Sequence, residues 1–405
     1  MLTEGEARWE AAAQLVADHR DVLDARPGEE EPPPALLARG WAPFLLSCDD
    51  AQLDAFEVHG LDAAWPEETP RSLLDLVARA RDVCAIPAMP VSPPRSRTLP
   101  TRLRETPRKR AQVDAFASVL LPLAAGATRV LDVGSGHGHL TRAIAERISR
   151  PVIGLERDAA LAERARLLSS SSSAPSPVFA LTDVLRDGLP VTEADCVIGL
   201  HACGELGDTM VESVARTGAS LALVGCCLQK RRALSRAPLC SGHAPGSELE
   251  LPRDLLGLSN LTARDEGVEA TRVQNLAGRA RRLALHRLLS RHEPALRLGA
   301  EIEGLNRRAA QGSLSSLVIR AFARRGLPAP TPARIEEAAV WAHMHHARLR
   351  RLSLPRALLA RALEVFVLAD RARHLEERGY VVTVGTLFPP EVSARNLVLV
   401  ARTRS

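Results

Sequence analysis

Apolar positions recur at helical spacing from the start of the chain: Trp9, Ala12, Ala13 and Val16, then Val22 and Leu23 in GEARWEAAAQLVADHRDVLDA. A second helix is expected in EEEPPPALLARG, where prolines lead in and Gly40 suits the end, and a third in PRSLLDLVARARDVCAIP. Together they form an N-terminal helical region over residues 1–95, closed by the proline-rich PAMPVSPPRSRTLP. TPRKRAQVDAFASVLLPLAAGA predicts one more helix. The pattern then changes to short apolar runs: Arg129–Val133, Val152–Leu155, Val178–Leu181, Asp195–Leu200 and Leu221–Gly225. Helices are predicted between several of them, at Leu140–Ile148, Asp158–Leu168 and Glu205–Ala215. Such strands, separated by helices, predict a parallel sheet covered on both faces, an α/β fold. The serine run SSSSSAPSP, Ser169–Pro177, reads as a flexible surface loop. An arginine-rich helical insertion is expected at about 233–352, inside a second domain spanning 103–405. LPRALLARALEVFVLADRARHLEERGY then predicts a strong amphipathic helix that ends at Gly379. YVVTVGTLF and NLVLVART close the chain as an antiparallel pair at the sheet edge.

Length and composition add a few bounds. The 405 residues allow two domains of ordinary size. With 46% hydrophobic and 25% charged residues the chain reads as soluble and globular, and 3% aromatics leave the core to Leu, Val and Ala. A net charge of +5 and a pI near 9.0 tolerate an anionic partner without demanding one. Arginine supplies nearly all of the positive charge, the lysines being Lys109 and Lys230. No apolar run approaches the roughly 20 residues of a membrane span, so no membrane partner is expected. The acidic start MLTEGEARWE predicts no signal peptide. Seven cysteines without an even-spaced framework predict reduced thiols in a cytoplasm.

The chemistry centres on VLDVGSGHGHL, Val130–Leu140. A dinucleotide fingerprint places its third glycine where His139 stands here. The glycines instead run Gly134, Gly136, Gly138, the G-x-G-x-G spacing of S-adenosylmethionine methyltransferases. A pyrophosphate wants the amides of a helix N-terminus; a sulfonium cofactor carries a cation and an amino acid, for which the acidic Asp132 beside the loop is suited. Glu156, about 20 residues on, ends the second strand, where a carboxylate can take ribose hydroxyls. Asp183, after the third strand, is a candidate for the adenine edge. Taken alone the loop could be an ordinary strand–helix connection or a phosphate-binding Rossmann turn. Three acidic or glycine positions on successive β–α units favour S-adenosylmethionine.

The loop, GLHACGEL and GCC together resemble the methyltransferase-like protein 25 group and the related ribosomal-RNA-adenine-dimethylase-domain-containing proteins. TPRKRAQV is similar to a Ser-Pro-Lys-Lys stretch of that group, and LFPPEVSARNLVLVA to its C-terminal SPRNL segment. The likeness runs over about 103–235 and 355–401, with His137 standing where the group has lysine. It implies the Rossmann-like seven-stranded class I methyltransferase sheet and S-adenosylmethionine as cofactor.

Acceptor chemistry stays open between several readings. The Asn/Asp-Pro-Pro-aromatic device of adenine N6 methylation has no counterpart in Gly199–Gly204. His201, Cys203 and Cys226, with Cys227 beside it, are the candidate catalytic residues. A cysteine thiolate could attack a pyrimidine ring, His201 could act as a general base, or these could be packing and hydrogen-bonding groups. A zinc site from Cys203, Cys226, Cys227 and a histidine lacks C-x-x-C spacing, and no metal is expected. His343 and His346 share a helix face but read mainly as solvent-facing. Basic stretches at Arg102–Arg110 and Arg279–His292 could contact RNA, or could be solvated faces. RNA is the leading acceptor class; a protein or small-molecule acceptor, or a silent cofactor-binding scaffold, are the alternatives.

Overall fold

The computed structural model describes residues 4–27, 31–90, 106–169, 176–241, 248–259 and 271–404. Most of the proline-rich break, Arg102 and Arg104 of the first basic stretch, and most of the serine run lie outside them.

Nine strands are present among the described residues: β1 (Arg129–Val133), β2 (Val152–Glu156), β3 (Val178–Leu181), β4 (Asp195–Ala202), β5 (Ser220–Gly225), the two-residue β6 (Ser235–Arg236) and β7 (Leu251–Pro252), β8 (Tyr380–Thr386) and β9 (Leu397–Thr403). Seven make one sheet in the order β3-β2-β1-β4-β5-β9-β8. The first five are parallel; β9 runs antiparallel to β5, and β8 antiparallel to β9. This is the Rossmann-like class I methyltransferase sheet, with the expected edge pair at its end. β1 is flanked by β2 and β4, so the winding reverses between β1 and β4. Ligands of open α/β sheets bind at the carboxyl ends of strands at such a reversal.

The strands are short and apolar because the central ones are covered on both faces. Val130, Leu131 and Val133 of β1 are buried, as are Cys196, Val197 and Ile198 of β4 and Leu221–Val224 of β5. On one face the helix Pro107–Ala124 lays Val113, Phe116, Ala117 and Leu120 against Val130, Ile198, Ala222 and Val224. Thr106 caps that helix by accepting the Lys109 N–H at 3.2 Å, and Pro107 occupies its first turn.

The chain divides into two compact units. One holds 1–20, 79–262 and 359–405; the other holds 21–78 and 263–358. The division runs through both the helical region expected over 1–95 and the insertion expected at about 233–352. In the first unit, the helix Glu4–Asp18 packs on the helix Ala360–Glu376, with the Trp9 and Phe366 rings 4.9 Å apart. In the second unit, Leu283, Leu285, Leu288 and Leu289 of the helix Arg272–Leu289 pack with Leu317, Val318 and Phe322. Asp54 and Glu57 there share Arg272 and Arg350. Several arginines of the second basic stretch are engaged within that unit: Arg281 donates to Ala310 O at 3.0 Å, Arg282 pairs with Glu301 at 2.6 Å, and Arg287 lies over the Trp341 ring.

The expected amphipathic helix from Leu354 is instead two helices, Pro332–Leu358 and Ala360–Glu376. The second is buried on nearly all sides. Its charged residues are not a solvent face, because Asp370, Arg371 and His374 are partnered inside the unit. No helix among the described residues is long and apolar enough to cross a membrane.

Candidate functional site

The loop after β1 is built by glycine. Gly134, Gly136 and Gly138 have φ of 72°, 56° and 71°, the left-handed region in which a side chain is strained. Each has a different neighbourhood. A Cβ at Gly136 would meet nothing within 4 Å, so the chain leaves open space over the middle of the loop. A Cβ at Gly138 would lie 2.5 Å from the Phe179 ring of β3, which makes Gly138 a close-packing position. Ser135 Oγ is buried without a hydrogen-bond partner.

Three carboxylates surround the loop. Asp132, 2% exposed at the end of β1, accepts the Thr141 hydroxyl at 2.6 Å. Burial pushes its pKa up to about 6, against the pull of Thr141 and Lys109. Glu156 ends β2 and grips the loop itself, accepting the Gly136 N–H at 2.8 Å on one oxygen and the Asp158 N–H at 2.9 Å on the other. Each oxygen keeps a lone pair for a further donor. Asp183, half-buried after β3, accepts the Leu185 N–H at 3.2 Å and lies 3.6 Å from Arg232. Open space over Gly136, a carboxylate with spare acceptor capacity on the next strand and a buried acid below the loop fit a ligand bearing an adenosyl ribose and a cationic amino acid.

The loop after β4 is built differently. The β4–β5 register shifts between Leu200 and Ala202, which makes His201 a bulge residue. Its φ is 69°, and it is the one non-glycine at positive φ among the described residues. Three contacts fix it. Cys203 Sγ and Cys226 Sγ both donate to the His201 carbonyl, at 3.3 and 3.1 Å, and its Nε2 lies 3.1 Å from Gln112 Oε1. Burial, then Lys109, Arg395 and Arg108, lower the imidazole pKa to about 4, so the ring is neutral at pH 7.

Gly204 follows at φ 53°, where a Cβ would fall 2.1 Å from the Lys230 carbonyl. Arg371 donates to the Gly204 carbonyl at 3.1 Å and to Asp208 at 2.9 Å. Asp208 also accepts from Arg236, which reaches Asp370 at 2.5 Å. Burial works against the Asp208 charge, but Arg236, Arg371 and Arg231 hold its carboxyl well below the usual range.

A cavity of about 410 Å³ opens beside His201. It is lined by Thr106, Arg108, Lys109, Gln112, His201, Cys226, Ser393 and Arg395. Three of these carry positive charge and none carries a carboxylate. The structure therefore brings His201 and Cys226 to one cavity with the first basic stretch and the SARNL segment. Gln112, Ser393 and Arg395 are site residues that pattern reasoning alone did not single out; the likeness of TPRKRAQV and SARNL to known segments was the one signal for them.

Residues 108–233 match the family model of a methyltransferase domain, under a third of the chain. This segment is a class I methyltransferase domain. A methyltransferase domain of this fold implies S-adenosylmethionine as its cofactor, and the glycine loop with Glu156 fits it. Among solved structures the chain is similar to a magnesium protoporphyrin IX methyltransferase from Synechocystis PCC 6803 with bound SAH, at 20% identity over 29% of this chain and 57% of that one, with a TM-score of 0.24. It is similar to the plantazolicin methyltransferase BpumL in complex with SAH, at 11% identity over 87% and 98% of the two chains, TM-score 0.29. A coclaurine N-methyltransferase bound to N-methylheliamine and SAH matches at 10% identity over 96% and 98%, TM-score 0.29. The chain spans between 57% and 62% of the length of the first three structures it matches.

Proposed function

We propose that the protein transfers the methyl group of S-adenosylmethionine to RNA. The observation that carries the acceptor is the cavity at the carboxyl end of β4, where Arg108, Lys109 and Arg395 converge without a carboxylate among the lining residues. Phosphate contacts from such cations position a nucleic acid without reading its sequence. The likeness of GLHACGEL and GCC supports placing the chain near the methyltransferase-like protein 25 group.

In this reading the cofactor lies over Gly134–Gly138. Glu156 takes the ribose hydroxyls, Asp183 lies near the adenine, and Asp132 faces the amino-acid end. The sulfonium supplies an already activated methyl group, so the chain's task is to hold the acceptor in line and keep water out. His201, neutral and fixed on its bulge, offers a hydrogen-bonding edge to the acceptor. The bonds from Cys203 and Cys226 to the His201 carbonyl support a structural place for these thiols beside the bulge rather than a role as nucleophiles.

The test is incubation of the full chain and labelled methyl donor with fractionated RNA, protein and metabolite pools. Label that is sensitive to ribonuclease is expected. Label confined to protein or to small molecules would overturn the acceptor and leave the cofactor assignment standing.

A further inference from the structure

The loops after two neighbouring strands deliver three thiols to one point. Cys203 follows β4, and Cys226 and Cys227 follow β5. Their sulfur atoms all lie within 4.8 Å of one another. The pairing of β4 with β5 sets this, since Ala202 is opposite Gly225 and the two strands end together. The spacing that argued against a metal in the sequence, the lack of C-x-x-C, does not apply to ligands brought together by neighbouring strands.

We propose that Cys203, Cys226 and Cys227 form a binding site for a thiolate-preferring divalent cation, zinc, with its remaining position facing the cavity beside His201. Zinc bound at about 2.3 Å to each sulfur of a tetrahedral site places those sulfurs about 3.8 Å apart, within reach of the observed cluster. Three protein ligands and one open position are the pattern of sites that engage a substrate or water rather than close off the metal. Cys226 lines the cavity, so the cluster borders the space where an acceptor would sit.

Charge balance supports the assignment. Three thiolates around a divalent ion leave one negative charge, and the Arg395 guanidinium, 2.9 Å from Cys227 Sγ, supplies one positive charge. N–H···S bonds of this kind orient and tune metal ligands from outside the coordination shell. Binding replaces thiol protons with metal. Cys203, Cys226 and Cys227 each give up a thiol proton to solvent, Cys203 and Cys226 the ones they donate to the His201 carbonyl. Nothing is oxidised or reduced.

The test uses the full chain, stripped of metal with a chelator and titrated with cobalt as a coloured stand-in for zinc. Thiolate-to-cobalt absorption saturating at one equivalent, displaced by zinc, is the expected result. Cys203→Ser should weaken cobalt binding by more than about 100-fold, and Arg395→Gln by about 10-fold. Cys84→Ser lies outside the cluster and should leave it unchanged. Zinc should also shield Cys203, Cys226 and Cys227 of the unaltered chain from alkylation, read by mass spectrometry, which needs no variant to fold. Absence of saturable cobalt binding, or binding equally strong in Cys203→Ser, would overturn the site. A disulfide between Cys203 and a cysteine of the pair in freshly purified chain that persists with zinc present would do the same.

Discussion

The loops after β1 and β4 face the same reversal in the sheet but are made by opposite means. The β1 loop is local. Its shape comes from three glycines in five residues, and its clamp, Glu156, lies 20 residues downstream. The β4 loop is held from a distance. Gln112 touches His201 across 89 residues and Arg371 reaches Gly204 across 167, and on the neighbouring loop after β5 Arg395 reaches Cys227 across 168. A loop that must bind a shared cofactor can be carried by a short portable motif. A loop whose shape comes from remote contacts depends on segments spread along the whole chain.

This contrast can be broken at defined places. The largest effect is expected at the buried charges behind the second loop. Asp208→Ala leaves Arg236 and Arg371 without their shared carboxylate in the interior, which should cost about 3–5 kcal/mol in denaturant unfolding. An unfolding midpoint within error of the unaltered chain would show that the network does not hold the loop. Next comes Gly204→Ala. The left-handed backbone and the approach to the Lys230 carbonyl together should cost about 3 kcal/mol. Its signature should be lost turnover with cofactor affinity retained, since the β1 loop is untouched.

Asp132 gives a test with a sign. Its pKa is raised in the fold to about 6, so the protonated form is favoured by the native state. The stabilisation is fully present below the unfolded value of about 3.9 and is lost as pH rises to about 6. Asp132→Asn removes that dependence. The variant should gain up to about 3 kcal/mol relative to the parent chain across this window, less about 1 kcal/mol for the weakened Thr141 bond. Calorimetry above pH 6 should show weaker cofactor binding at the same time. Equal pH slopes in the two chains would contradict the buried-acid account. Smallest is Thr106→Ala, which removes a helix cap and should lower stability by about 1 kcal/mol.

The same contrast explains how much was legible in the sequence. Strand positions emerged within one or two residues from apolar runs, because central strands of a doubly covered sheet leave few polar positions to confuse them. The β1 loop emerged from glycine spacing and one acid. The second site emerged only as the residues His201, Cys203, Cys226 and Cys227, without the contacts that shape it. The helix from Leu354 read as amphipathic because Asp370, Arg371 and His374 look like a solvent face in one dimension. In the fold, Asp370 and Arg371 are salt-bridged to Arg236 and Asp208, and His374 bonds the Leu239 carbonyl. His201 carried no mark of its bulge, since nothing in GLHACGEL announces a residue at positive φ. The grouping of Cys203, Cys226 and Cys227 was visible, but spacing counted against it because its geometry belongs to the β4–β5 register rather than to the order of cysteines along the chain.

The most direct test is calorimetric titration of S-adenosylmethionine into the full chain and into Gly136→Arg. A Cβ at Gly136 meets no neighbour within 4 Å, so the arginine costs about 1–2 kcal/mol of left-handed backbone strain without a clash at its Cβ, while it fills the place assigned to the cofactor. One-to-one binding to the parent chain, abolished in a folded variant, is the predicted result. Affinity retained by Gly136→Arg, or no binding by the parent chain, would contradict the assignment of the loop.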